Sequence, residues 1–144
     1  MPTVPVPINY LAVLVAALAA MVIGAIWYAP PVLGNKWMQL VNLDKDKART
    51  GAALGYFGML VASLVTAYVL AHSIAFVAVT PYFPNFSPIM QGLMTGLFSW
   101  IGFVVPVLVS GPLFAKSSWH LFFITAGHYL VSLLAMGAII GAWR

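Results

Sequence analysis

Three histidines, His72, His120 and His128, carry most of the chemistry that this chain of 144 residues can offer. An imidazole can ligate a metal, relay a proton or hydrogen-bond a ligand near neutral pH. Few groups stand ready to help it. The chain has no cysteine and no glutamate, and its acidic residues are Asp44 and Asp46. Disulfides, thiolate metal sites and cysteine nucleophiles are thereby excluded. One haem iron needs axial ligands that converge on it. Read as membrane helices, the segments holding His72 and His128 put the two rings ~15–20 Å apart in depth, too far to share an iron within one protomer. Met90 and Met94, one helical turn apart, stand at the depth of His72, and such a soft set suits Cu(I). Methionine is equally an ordinary filler between helices, and packing is the reading taken here. The residues point to no cofactor, no metal and no enzymatic activity.

The more informative pattern surrounds His128. Thr125, His128, Ser132 and Ala135 follow the spacing i, i+3, i+7, i+10 and so share one face of a helix. A polar face at mid-membrane must look at other helices or at water, not at lipid. Ser63, Thr66, Thr95, Ser99 and the indole N–H of Trp100 are possible partners. Thr125, His128 and Ser132 with Ser99 and Trp100 make a candidate polar cavity for a small ligand or a lipid headgroup. The plainer alternative is an interhelical hydrogen-bonded contact, worth only ~0.6 kcal/mol per bond on average.

The elements that position this face follow from composition. Hydrophobic residues make up 63% of the chain and charged residues 6%, against about a quarter charged in soluble domains. A water-soluble globule and a disordered chain are both excluded. A membrane helix needs about 20 mostly apolar residues, and four segments qualify, at about 9–28, 51–73, 88–110 and 118–143. The expected fold is all-α: a polytopic four-transmembrane-helix bundle forming a single domain over 1–144. Asn9 can cap the first helix, Pro30-Pro31 should stop it and Gly111-Pro112 should close the third. Pro106 should kink the third helix and free a carbonyl near Gly102. No basic stretch precedes the first segment, so it is expected to be a retained helix and not a cleaved leader. No span contains Asp, Glu, Lys or Arg. That argues against carboxylate-coupled transport and against intramembrane aspartyl or metal-dependent proteolysis.

Lipid gives helices no hydrophobic reason to associate, so small residues that allow close approach do much of the work. Candidate helix-packing pairs are Gly51 with Gly55, Gly92 with Gly96, and Gly137 with Gly141. Together they suggest a tight bundle, a homo-oligomer or docking on a larger membrane complex.

The net charge of +4 does not suggest nucleic acid. Lys36, Lys45, Lys47, Arg49 and Lys116 fall in the connections on one side of a four-span topology, and Arg144 falls on the other. By the positive-inside rule the loop 30–50 is cytoplasmic and both termini lie outside the cytoplasm of the cell's inner (plasma) membrane. Within that loop Trp37, Met38, Leu40, Val41 and Leu43 can lie on the lipid surface with the charges facing water. Trp27, Tyr28, Trp37 and Trp119 are expected as interface aromatics at headgroup depth.

Gly24-x-x-Trp27-Tyr28-x-Pro30, followed by Gly34, Trp37 and a charged loop, resembles the opening of the bacterial family filed as domain of unknown function 1761. The run Ala126-Gly127-His128-Tyr129-Leu130 and the later Met136-Gly137-Ala138-Ile139-Ile140-Gly141 are similar to that family's last helix. The resemblance implies a four-helix membrane protein and supplies no catalytic or binding residues. The function expected from the chain is non-enzymatic: a membrane binding or accessory subunit that self-associates or docks on a larger complex. The alternative is passive or facilitated passage of a small neutral or weakly polar solute. Cysteines introduced as Lys45→Cys and Lys116→Cys should stay unlabelled by an impermeant thiol reagent in intact cells and react after lysis. Labelling in intact cells would invert the topology.

Overall fold

The computed structural model describes residues 7–144. Residues 1–6, expected with the uncharged outer N-terminus, lie outside the described residues. Helix α1 (Tyr10–Trp27) starts where Asn9 accepts hydrogen bonds from the Leu11 and Ala12 amides, both at 3.1 Å. The same side chain donates to the Trp143 carbonyl at 2.6 Å, so the cap also fastens the start of the bundle to its end. The helix stops before Pro30-Pro31, and a wide π turn (Pro30–Gly34) leads into the short α2 (Asn35–Leu40). Asn42, with φ +54°, breaks the amphipathic stretch, and α3 (Lys45–Arg49) follows, capped by Asp44 accepting from the Lys47 amide at 2.8 Å. The apolar residues of this region, Trp37, Met38, Leu40, Val41 and Leu43, are half-buried, while Lys36, Lys45, Lys47 and Arg49 are exposed.

Helix α4 (Ala52–Ala78) is 27 residues long and runs five residues beyond the expected end of the second span. Helix α5 (Pro88–Ser99) opens on Ser87, whose hydroxyl accepts from the Met90 amide. It passes through a π turn (Trp100–Val104) into α6 (Val105–Phe114). Pro106 has no N–H to give to the preceding turn. The chain answers by widening that turn: the Val105 amide donates to Trp100, five residues back, so the distortion at Pro106 takes the form of a π bulge. Gly111-Pro112 does not end the span as expected. Pro112 sits inside α6, in its last turn, where a missing donor disturbs little that follows. The stop comes at Lys116, which adopts φ +56°. Helix α7 (Trp119–Ala142) is capped by Ser118. Four segments, α1, α4, α5–α6 and α7, are long and apolar enough to cross a membrane. No strand occurs among the described residues.

Helices α5 and α7 form the closest pair, and glycine explains why. A Cβ added at Gly92 would strike the carbonyl of Gly137, one at Gly137 would strike that of Gly92, and one at Gly141 that of Pro88. One at Gly96 would meet the Leu133 carbonyl. The two backbones touch along two helical turns, an approach open only to residues without side chains. Gly51 and Gly55 differ. Nothing lies within 4 Å of where their Cβ atoms would stand, so they form no helix contact in the protomer, because this stretch of α4 faces outward. Gly51 instead supplies the left-handed turn (φ +76°) that admits the chain to α4. The apolar core lies towards the far end of the bundle, away from the basic loop, where Ala16, Ala17, Ala67, Ile74, Met136 and Ile140 meet.

Gly92→Val forces two backbones apart and should cost about 3 kcal/mol, the upper part of the usual overpacking range. Gly55→Ala meets open space and should change stability by no more than about 1 kcal/mol, in the stabilising direction. Thermal unfolding of the purified variants in detergent checks both.

Candidate functional site

Helix α4 is held only along its far half. Its buried residues are Ser63, Ala67, Leu70, Ala71 and Ile74, and none of residues 52–62 is buried. At the basic end it therefore stands off from α1 and α7, and the gap is a cavity of about 470 Å³. Its walls come from three helices. Helix α1 contributes Ala20, Met21 and Gly24; α4 contributes Tyr56, Met59, Ala62, Ser63 and Thr66; α7 contributes Thr125, His128, Tyr129, Ser132, Leu133 and Met136. Tyr28 and Trp37 line the end nearest the basic loop. Tyr56 (66% exposed), Met59 and Tyr129 are exposed while also lining the cavity. The cavity is thus bordered at the protein surface by side chains of α4 and α7.

His128 stands at the centre of this site and is 8% exposed. Its ring rests on the α1 backbone: a Cβ at Gly24 would come 3.2 Å from Nε2. Nε2 is 3.4 Å from the Ser132 hydroxyl, one turn along α7. Tyr28, Tyr129 and Trp27 surround the ring with centroid separations of 5.2, 5.3 and 6.4 Å. Tyr28 in turn meets Trp37 edge-on at 5.5 Å. Gly24, Trp27 and Tyr28 are at i, i+3 and i+4, hence on one face of the α1 end. The Gly-x-x-Trp-Tyr string is in effect the seat and wall of the histidine.

The expected cavity residues divide. Thr125, His128 and Ser132 line it together, joined by Ser63 and Thr66. Ser99 and Trp100 do not. The Ser99 hydroxyl donates to the Thr95 carbonyl at 2.8 Å within its own helix. The Trp100 indole donates to the Ala126 carbonyl at 2.8 Å. Ala126 precedes His128 by two residues, about 200° around the helix, so the bond lies on the opposite side of α7. The interface aromatics also divide. Trp27 is a strut between helices, donating to the Ile124 carbonyl at 3.0 Å with its ring against Gly127. Tyr28 and Trp37 turn into the cavity. Trp119, 50% exposed, stays at the surface. His72 is on the exposed side of α4, where Nδ1 pairs with the Tyr68 carbonyl at 2.9 Å.

Sequence reasoning missed Met21, Tyr56, Met59 and Tyr129. The available signal was Gly24-x-x-Trp27-Tyr28, three residues on one face, which marks the surface opposite His128. A smaller hollow of about 160 Å³ at the far end is apolar apart from Asn9 and Arg144. Those two residues are engaged with Trp143 and Gln91, respectively.

Residues 11–141 match the family described as "Protein of unknown function (DUF1761)". No curated protein and no solved structure matches the chain.

Proposed function

The chain belongs to the DUF1761 family, and we propose that it is a non-enzymatic membrane binding protein that holds a lipid-soluble small molecule in the cavity around His128. One observation carries this reading: a cavity of about 470 Å³ between α1, α4 and α7 joins the buried polar residues Ser63, His128 and Ser132 to surface-exposed side chains of α4 and α7. A polar group inside the hydrocarbon region is costly without partners, so a polar cavity there has a use for a ligand that supplies them. A molecule already dissolved in the bilayer can enter from the side without crossing the headgroups. Passage of a solute through the protein is less favoured, because Ala67, Ile74, Met136 and Ile140 close the path at the far end.

The accessory-subunit aspect of the proposal rests on α4. Its small residues Gly51, Gly55 and Gly58 face open space within the protomer, which leaves room for a second copy or a larger membrane complex. The basic loop is assigned to the cytoplasm of the plasma membrane by its lysines and arginines. The cavity then opens on the cytoplasmic leaflet.

Native mass spectrometry of protein released from its own membranes should show an adduct of a neutral amphiphile. Ala62→Trp fills the exposed rim of the cavity and should cut adduct occupancy about tenfold with the melting temperature preserved. Absence of an adduct, or one that survives unchanged in Ala62→Trp, would contradict the binding reading.

A further inference from the structure

We propose that the ligand of this cavity is an uncharged, alkyl- or isoprenoid-tailed ring bearing carbonyl oxygens, a quinone by chemical class, anchored by His128 and Ser63. The inference rests on the binding reading above and names the ligand's chemistry.

Charge is the first discriminator. No Asp, Glu, Lys or Arg lines the cavity. A charge near the bilayer centre costs at least ~2.5–3.5 kcal/mol and is normally paired. An anionic head finds no cation here. An organic cation would be drawn to the aromatic rings but finds no carboxylate.

The second discriminator is what can distinguish a ligand from surrounding lipid. A plain alkyl chain gains little on leaving one apolar medium for another. Selectivity must come from stacking and from hydrogen bonds. Tyr28, Trp37, Tyr56 and Tyr129 with Met21 and Met59 give the cavity flat, polarisable walls. Aromatic rings and thioethers both favour a planar ring between them.

Hydrogen bonding supplies the third. Ser132 and His128 Nε2 are paired; with the serine hydroxyl donating, the ring proton is on Nδ1. Among the described residues Nδ1 has no partner, and no side-chain nitrogen or oxygen of a buried residue is both sealed off and unpaired. Nδ1 therefore keeps accessible surface, on a residue that lines the cavity. The same holds for the Ser63 hydroxyl, which has no partner among the described residues, although Ser63 is buried and lines the same space. Thr66 is different, because its hydroxyl is already bound to the Ala62 carbonyl at 2.9 Å. With Ser132 donating to Nε2, two free donors stand on facing walls, one on α7 and one on α4. A ring with carbonyls on opposite edges offers one acceptor to each, while a fatty alcohol offers a single oxygen.

The test is equilibrium binding of a decyl-tailed benzoquinone, decylbenzene and decanol to the purified full chain in phosphatidylcholine nanodiscs, measured as excess over empty discs. The benzoquinone should bind at least tenfold more tightly than either control. His128→Leu should abolish that preference, and Ser63→Ala should weaken quinone binding several-fold with melting unchanged. Should His128→Leu fail to fold, Ser63→Ala decides, and undiminished quinone affinity in it would overturn the proposal. Equal binding of all three probes would refute the quinone assignment and leave the cavity-binding reading standing. No binding of any probe would overturn both.

Discussion

Direct backbone contact between α5 and α7 sets the architecture. In a bilayer, apolar side chains gain nothing by leaving lipid for one another, and close approach with its dispersion and hydrogen bonding must hold the helices together. Gly92, Gly96, Gly137 and Gly141 permit that approach, and any Cβ at these positions would strike a carbonyl of the opposite helix or of its first turn. Trp100 adds an indole bond to the Ala126 carbonyl on the same side. Since α5 occupies this side of α7, the side bearing Thr125, His128 and Ser132 is left to α1 and α4. The polar face exists as a site because the glycine contact lies elsewhere on the helix.

The two ends of the bundle differ in how firmly they are held. At the far end, alanines of α1 and α4 pack with Leu133, Met136 and Ile140 of α7. Asn9 reaches the Trp143 carbonyl there and Arg144 reaches Gln91. At the basic end α4 has no buried residue before Ser63, and the gap is bordered by His128, tyrosines and Trp37. The short α2, an interfacial segment by composition, brings Trp37 against Tyr28 and so bounds the cavity at that end. Low contact density in an element goes with easier local opening. The part of α4 that frames the entrance is the part least restrained by neighbours.

Much of this was legible in the sequence, and what was not has a common cause. Apolar runs longer than a bilayer core needs can hardly be anything but spans, and Asn9 sits where a helix cap belongs. Periodicity also put Thr125, His128 and Ser132 on one face. It does not say which helix that face meets. Gly51–Gly55 and Gly92–Gly96 read alike, yet one pair looks outward and the other touches a neighbouring backbone. Ser99 and Trp100 are at a suitable depth for His128 but on the wrong side of α7. Trp27 has the composition of a headgroup aromatic, and only the neighbouring carbonyl of Ile124 makes it a strut. Pro112 reads as a stop, although a proline in a final turn costs too little to end a helix.

The most direct measurement is a density map of the protein in lipid nanodiscs at a resolution that shows side chains. The account predicts α4 standing off from α7 at its basic end, with elongated density entering between them and ending beside His128 and Ser63. Residues 52–62 closed onto α1 and α7, with His128 in a dry contact and no space at its ring, would contradict it.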